Sequence, residues 1–270
     1  MTIGFIGDIV GKPGRSIISE NLFRLKKEHH IDFVIANYEN ASHGFGLTQK
    51  NGDELFDSGI DVMTGGNHSF DKKEIVTLFD THNLLRPINY PSAMPGSGIY
   101  KGSVHGKKIA VVNLMGYYTM PMVDNPFTTI VPIIDTLVEE GFVHIIVDIH
   151  AEATSEKQAI LHLLQEKVSA ILGTHTHVGT DDLQISNGCC YVTDVGLSGC
   201  CDGIIGVDPK TPLDRFLVGI GGHFDIPTKC KRLLQMVVFE LDETTGRCLE
   251  AKKIKYYDSG DVVISQAWIN

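Results

Sequence analysis

The sequence is poor in the features that mark whole classes of protein. Its six cysteines, which include the adjacent pairs Cys189-Cys190 and Cys200-Cys201, form no C-x-x-C motif. A thiolate zinc site therefore has little support, and free thiols in a reducing cytosol are expected. No basic, apolar leader opens the chain, which runs from Met1 straight into Thr2-Ile3-Gly4-Phe5-Ile6-Gly7-Asp8. No apolar stretch approaches the roughly 20 residues of a membrane span, so a cytoplasmic protein with no membrane partner is expected. Positive charge is scarce as well. With 23 Lys and Arg against 33 Asp and Glu, the formal net charge is −10. That disfavours broad electrostatic capture of extended nucleic acid, but not a nucleotide-sized ligand, because bound cations neutralise one phosphate locally.

Several motifs are missing too. There is no G-x-S-x-G elbow, which argues against a serine hydrolase. Gly7-Asp8-Ile9-Val10-Gly11-Lys12-Pro13 fails as a P-loop, because its glycines stand one residue too close and Pro13 replaces the metal-binding Ser or Thr. Internal repeats, low-complexity tracts and charged linkers are absent, so 1–270 reads as a single domain.

What is present is an alternation of short apolar runs and amphipathic stretches. Strands are expected at 2–7, 32–37, 61–64, 108–114, 143–149, 169–172 and 189–194. Helices are expected at 14–28, 48–58, 71–80, 128–140 and 155–167. This order predicts an α/β fold with largely parallel pairing in its first part. Near the C-terminus, Met236–Leu241 and Ala251–Tyr257 flank a turn-like Asp242–Gly246 and predict an antiparallel hairpin, hence a mixed sheet or two packed sheets.

Polar residues then fall in a regular place. Asp8, Glu39-Asn40, Asn67-His68, His150 and His175-Thr176-His177 each follow an apolar run, so five strands deliver a candidate ligand at the carboxyl end, the ligand-binding edge of open α/β sheets. Each residue alone has a bland reading, as a loop cap, a turn residue or a hydrogen-bonded histidine. Together, Asp8, Glu39, Asn40, Asn67, His150, His175 and His177 form a mixed oxygen and nitrogen set that suits iron, manganese or zinc better than calcium or magnesium. Seven ligands exceed one tetrahedral ion but suit two ions sharing a carboxylate, and Glu39 is the natural bridge. His43 and Phe45, in Ser42-His43-Gly44-Phe45-Gly46, are candidate substrate contacts; Phe45 either stacks on a base or caps the core. Cys200-Cys201-Asp202 lies on the glycine-rich stretch 196–206, at a substrate mouth or a subunit contact. The histidines at 29, 30, 82, 105, 144 and 162 read as structural or solvated.

Gly4–Gly11, Asn37–Ala41, Gly66–Glu74, Asp148–Lys157, Gly173–His177 and Thr193–Gly199 resemble the calcineurin-like metallophosphoesterase superfamily, and most closely its YmdB-like metallophosphoesterase group. The resemblance implies two stacked mixed β-sheets flanked by helices, and two iron or manganese ions. Asp8, Asn40 and His177 would bind one ion, Asn67, His150 and His175 the other, with Glu39 bridging and His68 as catalytic acid. It implies a cyclic-nucleotide phosphodiesterase and a homo-oligomer, either dimer or tetramer. The sequence departs from the wider superfamily at Val10, where a histidine is usual and Asn40 stands in, and at Ser69, usually an acid that orients the histidine. Asp71 or a backbone carbonyl would then orient His68. A phosphomonoesterase and a slow regulatory nucleotide binder are the competing readings.

Overall fold

Alternation of side chains along the strands explains the layers of this protein. In β1 (Thr2–Asp8) and β2 (Phe33–Asn37), Ile3, Phe5, Phe33 and Ile35 point one way, while Ile6, Val34 and Ala36 point the other, and all are buried. A strand buried on both faces must lie between two apolar layers. The computed structural model describes residues 1–269 and has that construction.

The first half of the chain continues with α1 (Gly11–Glu28), α2 (Gln49–Asp57), β3 (Val62–Thr64), α3 (Ile75–Leu78), β4 (Ile99–Val104), β5 (Lys107–Met115) and α4 (Pro126–Glu139). The second half adds β6 (His144–His150), α5 (Thr154–Leu164), β7 (Ala170–Thr174), β8 (Gln184–Ser186), β9 (Cys189–Val192), β10 (Gly199–Cys200) and α6 (Lys210–Val218). The chain closes with β11 (Arg232–Leu241), β12 (Cys248–Tyr257), β13 (Val262–Gln266) and β14 (Trp268–Ile269).

Two mixed seven-stranded sheets result. One has the order β13-β12-β11-β1-β2-β3 with β10 paired to β11, and the other the order β14-β8-β9-β7-β6-β5-β4. Their facing sides share one core, in which Phe5, Ile35 and Phe239 meet Val111, Ile146 and Leu172. The outer face of the first sheet packs on Ile17, Ile18 and Leu22 of α1, and that of the second on Ile130, Ile134 and Ile160 of α4 and α5. The architecture is the expected α/β fold of two stacked mixed sheets flanked by helices.

The parallel pairs β1·β2, β2·β3, β5·β6, β6·β7 and β7·β9 bring the carboxyl ends of both sheets to one edge. β11 and β12 form the expected antiparallel hairpin. Other elements differ from expectation. The helix expected at 71–80 shortens to α3, because turns from His68 to Lys73 use the preceding backbone, with Asp71 N–H donating to His68 C=O at 3.1 Å. β4 escapes the sequence pattern because Ile-Tyr-Lys-Gly-Ser-Val is a half-exposed edge strand. α6 escapes it because Phe216, Leu217 and Val218 face solvent and leave no core-facing period. The expectation of six free thiols is corrected. The β10·β11 register pairs Cys200 with Arg232, two residues from Cys230, and Cys200 and Cys230 form a disulfide. Cys189, Cys190, Cys201 and Cys248 are free.

Candidate metal centre

At the shared edge, loops from both sheets converge. Asp8 ends β1, Glu39 and Asn40 follow β2, Asn67 follows β3, His150 ends β6, and His175 and His177 follow β7. Asp8, Glu39, Asn40 and His150 are all buried. Four atoms meet at one point. His150 Nε2 stands 3.0 Å from Asn67 Oδ1, 3.2 Å from Glu39 Oε1 and 3.2 Å from His175 Nδ1. Beside it, His177 Nε2 is 3.2 Å from Asn40 Oδ1 and 4.0 Å from Asp8 Oδ1.

Outward hydrogen bonds decide which histidine atoms carry protons. His177 Nδ1 donates to the Ile205 carbonyl at 2.7 Å, so Nε2 offers its lone pair to the site. His175 Nε2 donates to Glu152 at 3.1 Å, which leaves Nδ1 bare. The Thr174 hydroxyl donates to Asp148 at 2.7 Å, so it accepts from His150 Nδ1 at 2.9 Å and turns His150 Nε2 inward. Asn40 uses its NH₂ on the Gly44 carbonyl at 3.0 Å, and its oxygen faces inward too. At His177 Nε2 and Asn40 Oδ1 acceptor thus faces acceptor at about hydrogen-bond distance, whereas at His150 a proton on Nε2 serves Asn67 and Glu39, a place that a cation can take. Positive charge placed between facing acceptors removes their repulsion, and outward donation of this kind is how proteins orient metal-binding imidazoles.

Electrostatics agree. Burial pushes the Asp8 carboxyl up to about 6, and nearby His177 and His150 only partly offset it. Burial would raise Glu39 as well, but His150 beside it and the His68 backbone N–H hold it down at about 2. Burial would depress the His150 imidazole, yet Glu39, Asp8 and Asp148 carry it up to about 9. Burial and neighbouring His150 push His175 down to about 3. The cluster draws positive charge to the point where its donor atoms meet. The residues fit cations, with Glu39, His150 and His175 the tightest group among the described residues.

Backbone geometry serves the same centre. His175 and His177 adopt left-handed φ of 101° and 66°, a costly conformation for non-glycine residues that is typical of functional sites. Asp8 holds the first by accepting the His175 N–H at 3.1 Å. A Cβ on Gly66 would lie 2.3 Å from His150 Nε2 and 2.4 Å from Glu39 Oε2, so only glycine leaves the cradle open. His68 lies just outside the cluster. Its backbone N–H donates to Glu39 at 2.9 Å, its Nδ1 sits 2.8 Å from Asp71 Oδ2, and its ring packs edge-on against Phe45 at 4.9 Å. Asp71, one of the two candidates for that role, is therefore the group that meets His68.

All seven expected ligands come together. Of the expected substrate contacts, Phe45 lines a cavity of about 520 Å³ with Glu39, Asn40, His68, His175 and His177. His43 does not line it. It adopts a left-handed φ of 58° and lines a different cavity, beside Lys12, Arg15 and Ile226. Ile204, Ile205 and Val207 of the glycine-rich stretch line this cavity, whereas Cys201 lines another. Sequence reading missed a supporting ion pair. Lys157 and Asp194, both fully buried, meet at 2.9 Å, and Asp194 also accepts from Thr176 N–H and hydroxyl between His175 and His177. Their signal was a lysine within an apolar helix face and an aspartate after β9. His144, by contrast, is structural as expected, with both nitrogens on backbone carbonyls.

The family model described as YmdB-like protein matches residues 5–254. The chain belongs to the YmdB-like family. It is 42% identical over 263 residues to the 2′,3′-cyclic-nucleotide 2′-phosphodiesterase of Bacillus subtilis strain 168, covering 96% of this chain and 98% of that one. It is also similar to a crystal structure of a novel phosphatase from Mycoplasma pneumoniae, with TM-score 0.89, 35% identity, and coverage of 95% of this chain and 93% of that one. A crystal structure of a hypothetical protein from Thermus thermophilus gives TM-score 0.89 and 35% identity, covering 95% of this chain and 99% of that one. The YmdB-like chain thus has the metallophosphoesterase fold, and its class is that of a hydrolytic phosphoesterase. No helix among the described residues is long and apolar enough to cross a membrane.

Proposed function

We propose that this chain is a dinuclear-metal phosphodiesterase that opens 2′,3′-cyclic nucleotides, with 3′,5′-cyclic nucleotides as further candidates. The observation that carries the reading is the convergence of imidazole nitrogens with carboxylate and amide oxygens at two adjoining points. Asp8, Asn40 and His177 would hold one cation, Asn67, His150 and His175 the other, and Glu39 both. The donor set favours iron or manganese. Two cations bound there would supply charge against the phosphate oxygens and make a water more acidic.

The chain's own residues supply the rest. Glu39, held ionised among its neighbours, keeps the two halves of the centre in register. His68 carries a proton at Nδ1 shared with Asp71, leaving Nε2 available at the cavity. As a water oxygen joins phosphorus and releases its proton to solvent, the bond to a ribose oxygen breaks, and protonated His68 gives that oxygen a proton, to be reprotonated from solvent afterwards. A ribose alkoxide is a poor leaving group, so the proton matters most for nucleotides. The name of the B. subtilis relative supports the cyclic substrate.

The test is a turnover screen of 2′,3′- and 3′,5′-cyclic nucleotides, linear diesters and monoesters, with metal content measured on the same preparation. Two transition-metal ions per chain and preference for 2′,3′-cyclic nucleotides are expected. One ion or none, or turnover of monoesters alone, refutes the reading. A homo-oligomer, dimer or tetramer, is part of the same proposal, supported by the edge strand β13 with exposed Val262, Val263 and Ile264; light scattering in solution checks it.

A further inference from the structure

The cavity beside the metal centre has two unlike halves. One end presents Glu39, Asn40, His68, His175 and His177. The other is apolar, with Phe45 on the β2 side facing Ile205, Pro212, Phe216 and Phe224 from segment 204–224. Among the described residues lining that apolar half, Arg215 brings the one side chain able to hydrogen-bond, and its guanidinium lies 5.7 Å from the Phe224 ring centre.

This wall is expensive to keep. Phe216 is 82% exposed and Ile205 53%, and within α6 only Pro212 is buried. Ile205 also holds a left-handed φ of 45°, a genuine outlier for a β-branched residue. That strain has a function, because the Ile205 carbonyl in this conformation accepts the His177 Nδ1–H at 2.7 Å. The same residue thus fixes a candidate ligand and lends its side chain to the apolar wall. On the opposite side, Phe45 packs against His68. Both walls are tied to the chemistry, and a contiguous exposed apolar surface joined to a polar centre marks a ligand groove. At about 520 Å³ the cavity has the size of a small-molecule site.

We propose that this apolar half is a nucleobase subsite, formed by Phe45, Ile205, Phe216 and Phe224 with Arg215, that grips the flat face of the base and leaves its hydrogen-bonding edge unread. The proposal rests on the reading of the centre as a cyclic-nucleotide phosphodiesterase. With the phosphate at the metal end, the base, one ribose away, enters the apolar end. Every base has a π-face, and aromatic side chains that stack on it tolerate sequence while contributing strongly to affinity. Arg215 adds a planar cation that stacks equally on any base. The subsite therefore accepts all four bases, with KM lower for the larger purines, and gives base-bearing substrates an advantage over base-free cyclic phosphates.

The test compares metal-loaded full-length protein on the four 2′,3′-cyclic nucleotides and on glycerol 1,2-cyclic phosphate, which has no base. In the wild type, kcat/KM should favour each nucleotide by at least about tenfold, on the scale of one stacked base. In Phe216→Ser and Phe224→Ser that ratio should fall about tenfold, through KM, while Phe216→Tyr retains it. Phe216 is exposed, so its replacement leaves packing intact. A wild-type ratio near one, or a ratio unchanged in both serine variants, overturns the subsite while cyclic phosphodiester hydrolysis still stands. Discrimination among bases by more than about a hundredfold also overturns it, since that requires edge contacts. Failure to hydrolyse any cyclic phosphate, with monoesters turned over, defeats the underlying reading instead.

Discussion

Lys157→Met should damage this protein far from the reacting phosphate, and in a defined order. Lys157 Nζ lies 2.9 Å from Asp194 Oδ2 and 2.8 Å from the Thr174 carbonyl, with both charged side chains fully buried. Methionine has a similar volume but leaves the buried Asp194 without its ion-pair partner, held only by Thr176 and Gly196 and by the field of the more distant Lys253. Removing one partner of such a pair costs about 3–5 kcal/mol. For a domain of this size each kcal/mol shifts Tm by roughly 2–4 °C, so a fall of about 6–20 °C is expected. Asp194 also holds Thr176 N–H at 3.1 Å and its hydroxyl at 2.9 Å, directly between His175 and His177. Metal affinity should therefore fall as well, by about 10–100-fold, the usual effect of losing a group that orients ligands. Urea unfolding gives the stability change and a manganese titration gives the affinity. The double variant Lys157→Met/Asp194→Asn removes the stranded charge and should be more stable than Lys157→Met alone. A loss below about 1 kcal/mol, or a double variant weaker than the single, would refute the reasoning, because a stranded buried charge costs several times that.

Other outcomes follow from the same geometry. Gly66→Ala drives a Cβ to 2.3 Å from His150 Nε2 and should cost at least one bound metal with far-UV circular dichroism unchanged; a variant with both ions would show that the cradle yields. His68→Ala should keep both ions and lose about 10²–10⁴-fold on cyclic nucleotides but much less on a nitrophenyl diester. Equal losses would make it a positioning group. Asp71→Asn should show the same leaving-group signature more weakly, because it acts through His68 Nδ1 at 2.8 Å. Asn40→Ala should weaken one ion selectively, its oxygen being the partner of His177 at 3.2 Å; equal weakening of both ions in a metal titration would refute the division.

Local pattern alone determined a large share of this protein. Short apolar runs such as Phe33–Ala36, and glycines before Asn67 and His175, are properties of neighbouring residues, so they announce strands and candidate strand-end ligands without any knowledge of packing. Parallel pairing then gathers those ligands at one edge, since all five loops leave from carboxyl ends. Tertiary structure decided the rest. The turn from His43 to Phe45 places Phe45 in the cavity of the candidate metal centre and His43 in another, a division that the left-handed backbone at His43, Gly44 and Gly46 accompanies and that no local pattern announces. The Lys157–Asp194 pair joins residues 37 positions apart, and the Cys200–Cys230 bridge joins residues 30 apart. Neither separation has a periodic signature. The wall from Ile204 to Phe224 is apolar yet exposed, so burial-based pattern reading misses it; its meaning lies in the centre it faces. Sequence periodicity reports which face of an element is buried, whereas the direction of a loop side chain depends on contacts that only the folded chain assembles.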